Sequence, residues 1–282
     1  MSGVMKLAGV CGWPIHHSLS PTIHNFWLKA LGIKGAYVRF AVRPDNAVKA
    51  FESLKQTSIM GVNVTLPLKS LAFQSADEHS SDALKLGVAN CLYKKSGLLI
   101  AHNTDMEGFA APLIKRVGGN SLANMSALVI GTGGAAKAVI GALLSLNVPE
   151  IRICGRNDQS SEIIAASANV PSLYNIPWEQ RELALSNSGL IVNASAGGMG
   201  GKNPLDLDLS GIKQSCFVYD LIYTPRETEF LKNAKAMGCE TLGGLEMLIA
   251  QARPSFKYFY GQLPDESLDP TEVLLNELGA KA

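Results

Sequence analysis

The sequence has little net charge and no closely spaced pair of cysteines. Its formal net charge is only +1, so nothing favours a nucleic acid or an anionic membrane as a partner. The five cysteines are an odd number and form no C-x-x-C pair, which is typical of reduced, buried thiols in a cytoplasmic protein. We therefore expect a cytoplasmic protein whose partners are small molecules.

Long apolar runs are almost absent as well. Residues 1–11 offer too short an apolar stretch for a signal peptide. Residues 127–148 carry Lys137 as their only charge, but the glycine cluster near their start indicates a strand that turns into a helix. There is no internal repeat and no low-complexity tract. A chain of 282 residues is long enough for about two domains.

The most informative motif is a glycine-rich turn near the middle of the chain. The apolar run 127–130 continues directly into GTGGAA at 131–136, a G-x-G-x-x-A pattern that leads into a helical segment. Such a turn is typical of dinucleotide binding, because glycines allow the tight turn and the approach of a pyrophosphate, and the helix N-terminus attracts phosphate. The next predicted strand is followed by Arg156, which favours a 2′-phosphate and hence NADP, although Asp158 lies close to it in sequence.

Apolar runs and amphipathic segments alternate along the chain, which predicts two α/β domains. In the first, with a largely parallel sheet, strands are predicted at 7–10, 36–40, 59–64 and 88–92 and helices at 21–31 and 45–55. A helix at 105–117 and a linker at 118–121 follow. The second set has strands at 126–130, 151–154, 189–193 and 216–220 and helices at 134–146 and 227–237, which fits a doubly wound nucleotide domain.

Polar residues cluster in the first domain at places where a scaffold alone would not need them. Ser18 and Ser20 could direct two hydroxyls at one ligand, or Ser20 could merely cap a helix. Three histidines at 16, 17 and 24 have no carboxylate or cysteine at ligand spacing, so we expect no metal site.

Four further residues belong to the same interpretation. Thr65 and Asn90 lie at the ends of predicted strands, where ligands bind in parallel sheets. Lys69 follows a proline turn and could be an ordinary surface charge. Asp105 could cap a helix, or it could form a proton-transfer pair with Lys69 in a partly desolvated site. In the second domain, the loop at 193–200 could lie against a cofactor or be an ordinary flexible turn.

Taken together, these segments resemble the shikimate dehydrogenases along nearly the whole chain. The segments that carry the resemblance are HSLSPTIHN (17–25), NVTLPLK (63–69), ANC (89–91), NTDMEG (103–108), GTGGAA (131–136), NASAGGM (193–199), DLIYTP (220–225) and GLEMLIAQA (244–252). The resemblance implies reversible NADPH-dependent reduction of 3-dehydroshikimate to shikimate, a step toward aromatic amino acids. It also implies an N-terminal α/β substrate domain and a doubly wound, Rossmann-type NADP-binding domain with a cleft between them. On this basis we expect a substrate domain over 1–105, a cofactor domain over 106–240, and a C-terminal helical segment over 241–282 that packs back on the substrate domain.

The resemblance also implies a role for individual residues. Lys69 would be the acid/base, with Asp105 as its partner. The substrate-binding residues would be Ser18, Ser20, Thr65, Lys69, Asn90, Asp105, Tyr223 and Gln251. The NADP-binding residues would be Gly131, Gly133, Gly134, Ala135, Arg156, Met199 and Gly244. The chain departs from the usual family pattern at Gly155 and Asn157, which flank Arg156, and at Cys91, Ser195, Ala196 and Leu242.

Two alternatives to this activity stay open. A quinate/shikimate dehydrogenase with a preference for NAD would share the fold, although the two serines favour shikimate and Arg156 favours NADP. A non-catalytic NADP-binding sensor would also share it, although both Lys69 and Asp105 are present. The protonation state of Lys69 is also open, because burial favours the neutral amine and a neighbouring carboxylate favours the ammonium. No exposed heptad declares an interface, so we expect a monomer or a homodimer.

Overall fold

The computed structural model describes residues 5–279, which divide into two compact units. The first unit comprises the chain up to Asp105 and the chain from Ile249 onwards, and the second runs from Met106 to Leu248. The second unit is therefore an insertion into the first. Residues 118–121, which were expected to be a linker, instead lie within the second unit, where residues Gly119–Leu122 form a short helix.

The first unit is built on a six-stranded mixed sheet. Its elements up to the boundary are β1 (Lys6–Gly12), α1 (Ser20–Ala30), β2 (Gly35–Ala41), α2 (Ala47–Ser53), β3 (Ile59–Val64), α3 (Lys69–Gln74), β4 (Glu78–His79), α4 (Ser81–Leu86), β5 (Cys91–Lys95) and β6 (Leu98–His102). The strand order is β2-β1-β3-β5-β6-β4. The first three strands are mutually parallel, as predicted, but β5 runs antiparallel to both of its neighbours.

A tight hairpin explains why the sheet is not parallel throughout. Ser96 and Gly97 both adopt positive φ angles, +52° and +83°, between β5 and β6. Two successive left-handed residues are the geometry of the turn that joins adjacent antiparallel strands. The prediction of a strand at 88–92 was therefore wrong in its start, since the strand begins at Cys91, and β6 was missed.

The second unit is a doubly wound parallel sheet, which confirms the prediction from the glycine-rich turn. After α5 (Asp105–Val117) and α6 (Gly119–Leu122), its elements are β7 (Ser126–Ile130), α7 (Gly134–Ser145), β8 (Glu150–Cys154), α8 (Asp158–Ala168), β9 (Leu173–Asn175), β10 (Leu190–Asn193), β11 (Phe217–Asp220), α9 (Glu229–Ala236) and β12 (Glu240–Leu242). The order β12-β11-β10-β7-β8-β9 reverses direction between β7 and β10, and such reversal points are where doubly wound sheets bind ligands.

Two C-terminal helices complete the chain: α10 (Gly244–Tyr260) and α11 (Thr271–Gly279). Within the first unit, α10 supplies three aromatic side chains that pack around His24, Trp27 and Tyr37; they are Phe256, Phe259 and Tyr260. All five cysteines are buried and unpaired, and burial raises the pKa of Cys91 to about 12. Among the described residues, no helix is both long enough and apolar enough to cross a membrane.

Candidate functional site

Lys69, Asp105 and Asn90 form a buried hydrogen-bonded group in the first unit. The Lys69 Nζ donates to Asp105 Oδ2 at 2.6 Å, and the Asn90 side-chain amide donates to Asp105 Oδ1 at 2.8 Å. The lysine and aspartate side chains are only 15% and 10% exposed. Both carboxylate oxygens of Asp105 are therefore engaged with these two side chains, a pairing that the sequence left as one of two alternatives.

The sheet geometry brings these three residues to one edge. Lys69 opens α3, just past the end of β3, while Asn90 immediately precedes β5. Because β5 is antiparallel to β3, its beginning lies beside the end of β3; the Val64 amide accordingly donates to the Asn90 carbonyl at 2.8 Å. The predicted convergence is thus present, although the reason for it differs. Two parallel strand ends were expected, and the structure has one strand end and one strand start.

Thr104 and Asn103 join this group, and the residue-by-residue interpretation did not assign them a role. The Asn90 amide also donates to Thr104 Oγ1 at 3.0 Å, and its Oδ1 accepts from the Thr104 amide at 2.8 Å. Asn103 Oδ1 accepts from the Asp105 amide at 2.9 Å at the start of α5. Both residues lie in the NTD segment that directed attention to Asp105, so the only available signal was adjacency in sequence. Thr104 also contacts α10, where its Oγ1 donates to the Gln251 Oε1 at 3.4 Å.

The serine pair lies on the loop between β1 and α1. Ser20 is the first residue of α1 and makes no capping hydrogen bond to any described residue, so the interpretation of Ser20 as a mere helix cap is wrong. Its hydroxyl instead accepts from Ser18 Oγ at 3.3 Å, and both serines are buried. The loop starts against the turn after β3: a Cβ on Gly12 would lie 2.7 Å from the Thr65 methyl group, and the Trp13 amide donates to the Leu66 carbonyl. The serine loop and the turn that carries Thr65 and Lys69 are therefore neighbours.

In the second unit, the glycine-rich turn joins the end of β7 to the start of α7. Gly131 has a φ of +127°, and a Cβ there would lie 2.7 Å from the Ala194 carbonyl, at the end of β10. Gly133 is different: it is the N-cap of α7, and a Cβ there would meet no atom of the described part of the chain within 4 Å. Gly134 and Ala135 then begin α7. The turn thus has one glycine needed for the fold and another facing open space at a helix N-terminus, where a phosphate is stabilised.

The segment after β8 places Arg156 in an exposed position. Next to it, Asn157 caps α8 by accepting from the Ser160 amide at 3.1 Å. The Asp158 carboxylate accepts from the Trp178 amide at 3.1 Å, so it is committed to the fold. A Cβ on Gly155 would lie 2.8 Å from the Thr132 methyl group, so a larger residue there would require the Thr132 side chain to move.

Met199, Tyr223 and Gly244 come from three segments that the structure brings together. The Gly200 amide, next to Met199, donates to the Thr224 carbonyl at 2.8 Å. The Gly244 amide donates to the Ile222 carbonyl at 3.1 Å, and a Cβ on Gly244 would lie 2.1 Å from the Leu221 carbonyl oxygen. Gly244 is therefore required by close backbone packing. Burial raises the pKa of Tyr223.

A buried carboxylate, Asp220, holds these segments in place. Its Oδ1 accepts from the Asn193 side chain at 3.0 Å and from the Ile222 amide at 3.1 Å, and its Oδ2 accepts from the Thr228 hydroxyl at 2.6 Å. Burial raises the pKa of Asp220 to about 6, against these three hydrogen bonds, which lower it. This residue was not singled out from the sequence, where it appears only as the first letter of DLIYTP.

Known proteins match the chain by family model, by sequence and by structure. Residues 10–92 match the family model described as the shikimate dehydrogenase substrate binding domain. The NADP(+) shikimate dehydrogenase of Paramagnetospirillum magneticum is 38% identical, over 95% of this chain and 97% of that protein. A crystal structure of a shikimate dehydrogenase in complex with NADP+ superposes with a TM-score of 0.89 at 29% identity, covering 97% of this chain and 96% of the other.

A neighbour with another printed activity has nearly the same fold. The quinate dehydrogenase of Corynebacterium glutamicum, in complex with NAD, has a TM-score of 0.87 at 28% identity, covering 96% of this chain and 99% of that chain. Fold alone therefore does not separate the two activities. The 38% identity over nearly the full length of both proteins is the stronger finding, and the chain belongs to the shikimate dehydrogenase family.

Proposed function

We propose that this protein catalyses the reversible NADPH-dependent reduction of 3-dehydroshikimate to shikimate, a step toward aromatic amino acids. The observation that carries the proposal is the buried Lys69–Asp105–Asn90 group, within a unit whose sequence matches a substrate-binding family model. A lysine and a carboxylate 2.6 Å apart, both largely withdrawn from water, are suited to moving a proton.

Lys69 is the proposed acid/base. In the direction of reduction, negative charge grows on the substrate carbonyl oxygen, and the Lys69 ammonium stabilises this charge and gives up a proton to that oxygen. In the direction of oxidation, the neutral amine accepts the proton from the substrate hydroxyl. Asp105 holds the amine in place through its Oδ2, and Asn90 fixes the carboxylate through its Oδ1. When bound, NADP(H) supplies the hydride.

The second unit is the proposed cofactor domain, and its residues fit NADP. The open space at Gly133 and the free amide groups at the start of α7 would hold the pyrophosphate, with Gly131, Gly134 and Ala135 completing the turn. Arg156 would bind the 2′-phosphate, a role that Asp158 does not oppose because its carboxylate is already bound to the Trp178 amide. Met199 and Gly244 would lie near the nicotinamide.

The first unit is the proposed substrate domain, completed by the chain from Ile249 onwards. Ser18 and Ser20 would bind the substrate carboxylate. The ring hydroxyls would be held by Thr65, Asn90 and Gln251, with Tyr223 as a further substrate contact. Reduced, buried thiols support a cytoplasmic enzyme. A net charge of +1 supports small molecules, and not nucleic acid, as its partners. The proposed enzyme is a monomer or a homodimer.

The activity is tested with shikimate and quinate, each offered with NADP and with NAD. Fast reduction of NADP by shikimate alone is the expected result. Efficient quinate turnover with NAD would overturn the assignment in favour of a quinate/shikimate dehydrogenase, and cofactor binding without any turnover would favour a sensor. Arg156→Ala should weaken the binding of NADPH far more than the binding of NADH. An equal loss of affinity for both cofactors would refute the contact between Arg156 and the 2′-phosphate.

The role of Lys69 is tested separately, because the same residue could serve only to bind substrate. Lys69→Ala should lose mainly turnover at saturating shikimate, and Asp105→Asn, which keeps the size of the side chain, should lose less. A Lys69→Ala variant that keeps its turnover number while its KM for shikimate rises would make Lys69 a binding group.

A further inference from the structure

We propose that Arg39 and Glu277 are positioning residues that hold the Ser18–Ser20 pair in the shape required for the substrate carboxylate. This inference rests on the proposed function and goes one step beyond it. It links the C-terminal helix α11 to the serine loop through two charged side chains, neither of which has a place among the proposed substrate contacts.

Arg39, on β2, fixes the backbone of the serine loop directly. Its Nε and Nη2 both donate to the Ser18 carbonyl oxygen, at 3.0 Å and 2.6 Å. Hydrogen bonds from a charged donor are stronger than neutral ones, and two bonds from one planar group fix direction as well as distance. The Ser18 hydroxyl makes two hydrogen bonds to Ser20: its Oγ accepts from the Ser20 amide and donates to the Ser20 Oγ, each at 3.3 Å. The orientation of both hydroxyls therefore depends on a carbonyl that Arg39 holds.

Glu277, on α11, holds Arg39 and the start of α1 together. One carboxylate oxygen lies 3.6 Å from Arg39 Nη2, and the other accepts from the Thr22 hydroxyl, two residues beyond Ser20. The helix is itself anchored: Leu274 is fully buried, and the Trp27 indole donates to the Leu268 carbonyl at 2.8 Å in the segment that leads to it. Glu277 is thus carried by an element fixed against α1.

Arg39 and Glu277 are expected to contribute unequally to holding the serine loop. The Arg39 and Glu277 side chains are 32% and 25% exposed, so solvent screens their ion pair and its separate contribution is small. The two bonds to the Ser18 carbonyl are local and are lost completely when the guanidinium is removed. Arg39 is therefore the primary positioning residue, and Glu277 acts through it and through Thr22.

The experiment compares Arg39→Gln, Arg39→Lys and Glu277→Gln with wild type. Arg39→Gln should raise the KM for shikimate about tenfold, with kcat within about twofold and the KM for NADP unchanged. Arg39→Lys should recover only part of that loss, because an ammonium lacks the planar pair of donors. Glu277→Gln keeps an acceptor for Thr22 and should have a smaller effect. Arg116→Gln, which removes an exposed arginine of the second unit, serves as the matched control and should change nothing.

A ligand without the carboxylate separates positioning from a general loss of structure. With the analogue in which a hydroxymethyl group replaces the carboxyl group, the Arg39→Gln penalty should shrink to less than about twofold. An equal penalty for both ligands, a fall in kcat of the same size, or no penalty with shikimate would each overturn the inference.

A binding measurement distinguishes failure of the positioning role from failure of the proposed function. If wild type does not turn over shikimate, the affinity for a simple cyclohexene carboxylate is measured by calorimetry for wild type and Arg39→Gln. Weaker binding to the variant supports the positioning role without any turnover, and equal or absent binding by both proteins overturns it.

Discussion

Replacing Asp220 with asparagine is expected to stabilise the protein near neutral pH and to lose that advantage on acidification. The carboxylate is fully buried and accepts hydrogen bonds from Asn193, Ile222 and Thr228. An asparagine of the same shape keeps an acceptor for the first two donors. It turns its amide toward the Thr228 hydroxyl, which can accept as well as donate. The main change is therefore the loss of a buried charge.

The size of the effect follows from the shift of the carboxyl pKa. The pKa of Asp220 rises from 3.8 to about 6 in the folded state, which corresponds to about 3 kcal/mol at ~1.4 kcal/mol per pH unit. Because the folded state binds the proton more tightly than the unfolded state, wild type gains stability as the pH falls from above 6 toward 3.8. Between about pH 7.5 and about pH 5, the gain of wild type relative to Asp220→Asn should be about 1 kcal/mol.

Urea unfolding of both proteins across this pH range measures the difference. Asp208→Asn is the control: hydrogen bonds from Ser210 hold the pKa of exposed Asp208 below its ordinary value of 3.8, so its pH profile should run parallel to that of wild type over this range. Only when the scan is extended toward and below pH 3.8 should wild type lose stability relative to Asp208→Asn, the opposite sign to Asp220. Parallel pH profiles for Asp220→Asn and wild type would show that Asp220 titrates at its ordinary value, and the argument from burial would be refuted.

The remaining predictions concern the glycine-rich turn and a buried histidine. Gly133→Ala should leave the melting temperature unchanged and weaken NADP binding. Gly131→Ala should lower the melting temperature, because the new Cβ would clash with Ala194 at a φ of +127°. Equal melting temperatures for the two variants would contradict the different roles of the two glycines. Burial lowers the pKa of His24 to about 3, and within residues 5–279 neither ring nitrogen has a hydrogen-bond partner. Below about pH 6.5 this histidine takes up a proton in the unfolded state but not in the folded state, so acidification favours unfolding of wild type. Between about pH 7 and about pH 5, wild type should therefore lose about 2 kcal/mol more stability than His24→Phe in urea unfolding. Equal losses for the two proteins would refute this.

Local sequence patterns predicted some elements correctly and missed others, such as the capped helix α8. The strand at 59–64 was predicted with its observed bounds, and the glycine-rich turn correctly predicted the doubly wound unit. Both signals are local, since an apolar run between turn residues and a G-x-G-x-x-A pattern each limit the backbone conformation directly. Thr65 was likewise placed at the end of that strand, whereas the helix that begins at Lys69 was not predicted.

Features that depend on pairing between distant segments could not be predicted. The hairpin of β5 and β6 was overlooked although Ser96-Gly97 is a local turn signal. The antiparallel pairing of β5 with β3, in contrast, joins segments that are separated in the chain. The proposed link between Arg39 and α11 rests on a contact with Glu277, more than two hundred residues later in the chain. Asp220 was missed for the same reason, since two of its three partners come from β10 and from the start of α9.

The insertion of one unit into the other also determines the order in which the molecule can be assembled during translation. All six strands of the second unit lie in one uninterrupted stretch, Met106–Leu248, so its sheet can form as soon as that stretch has left the ribosome. The earlier stretch cannot finish, because Trp27 and Tyr37 pack against aromatic residues of α10 that are translated only later. The half of the protein that is synthesised first is therefore the half that is completed last, and a nascent chain released early would expose these aromatic side chains to chaperones and proteases.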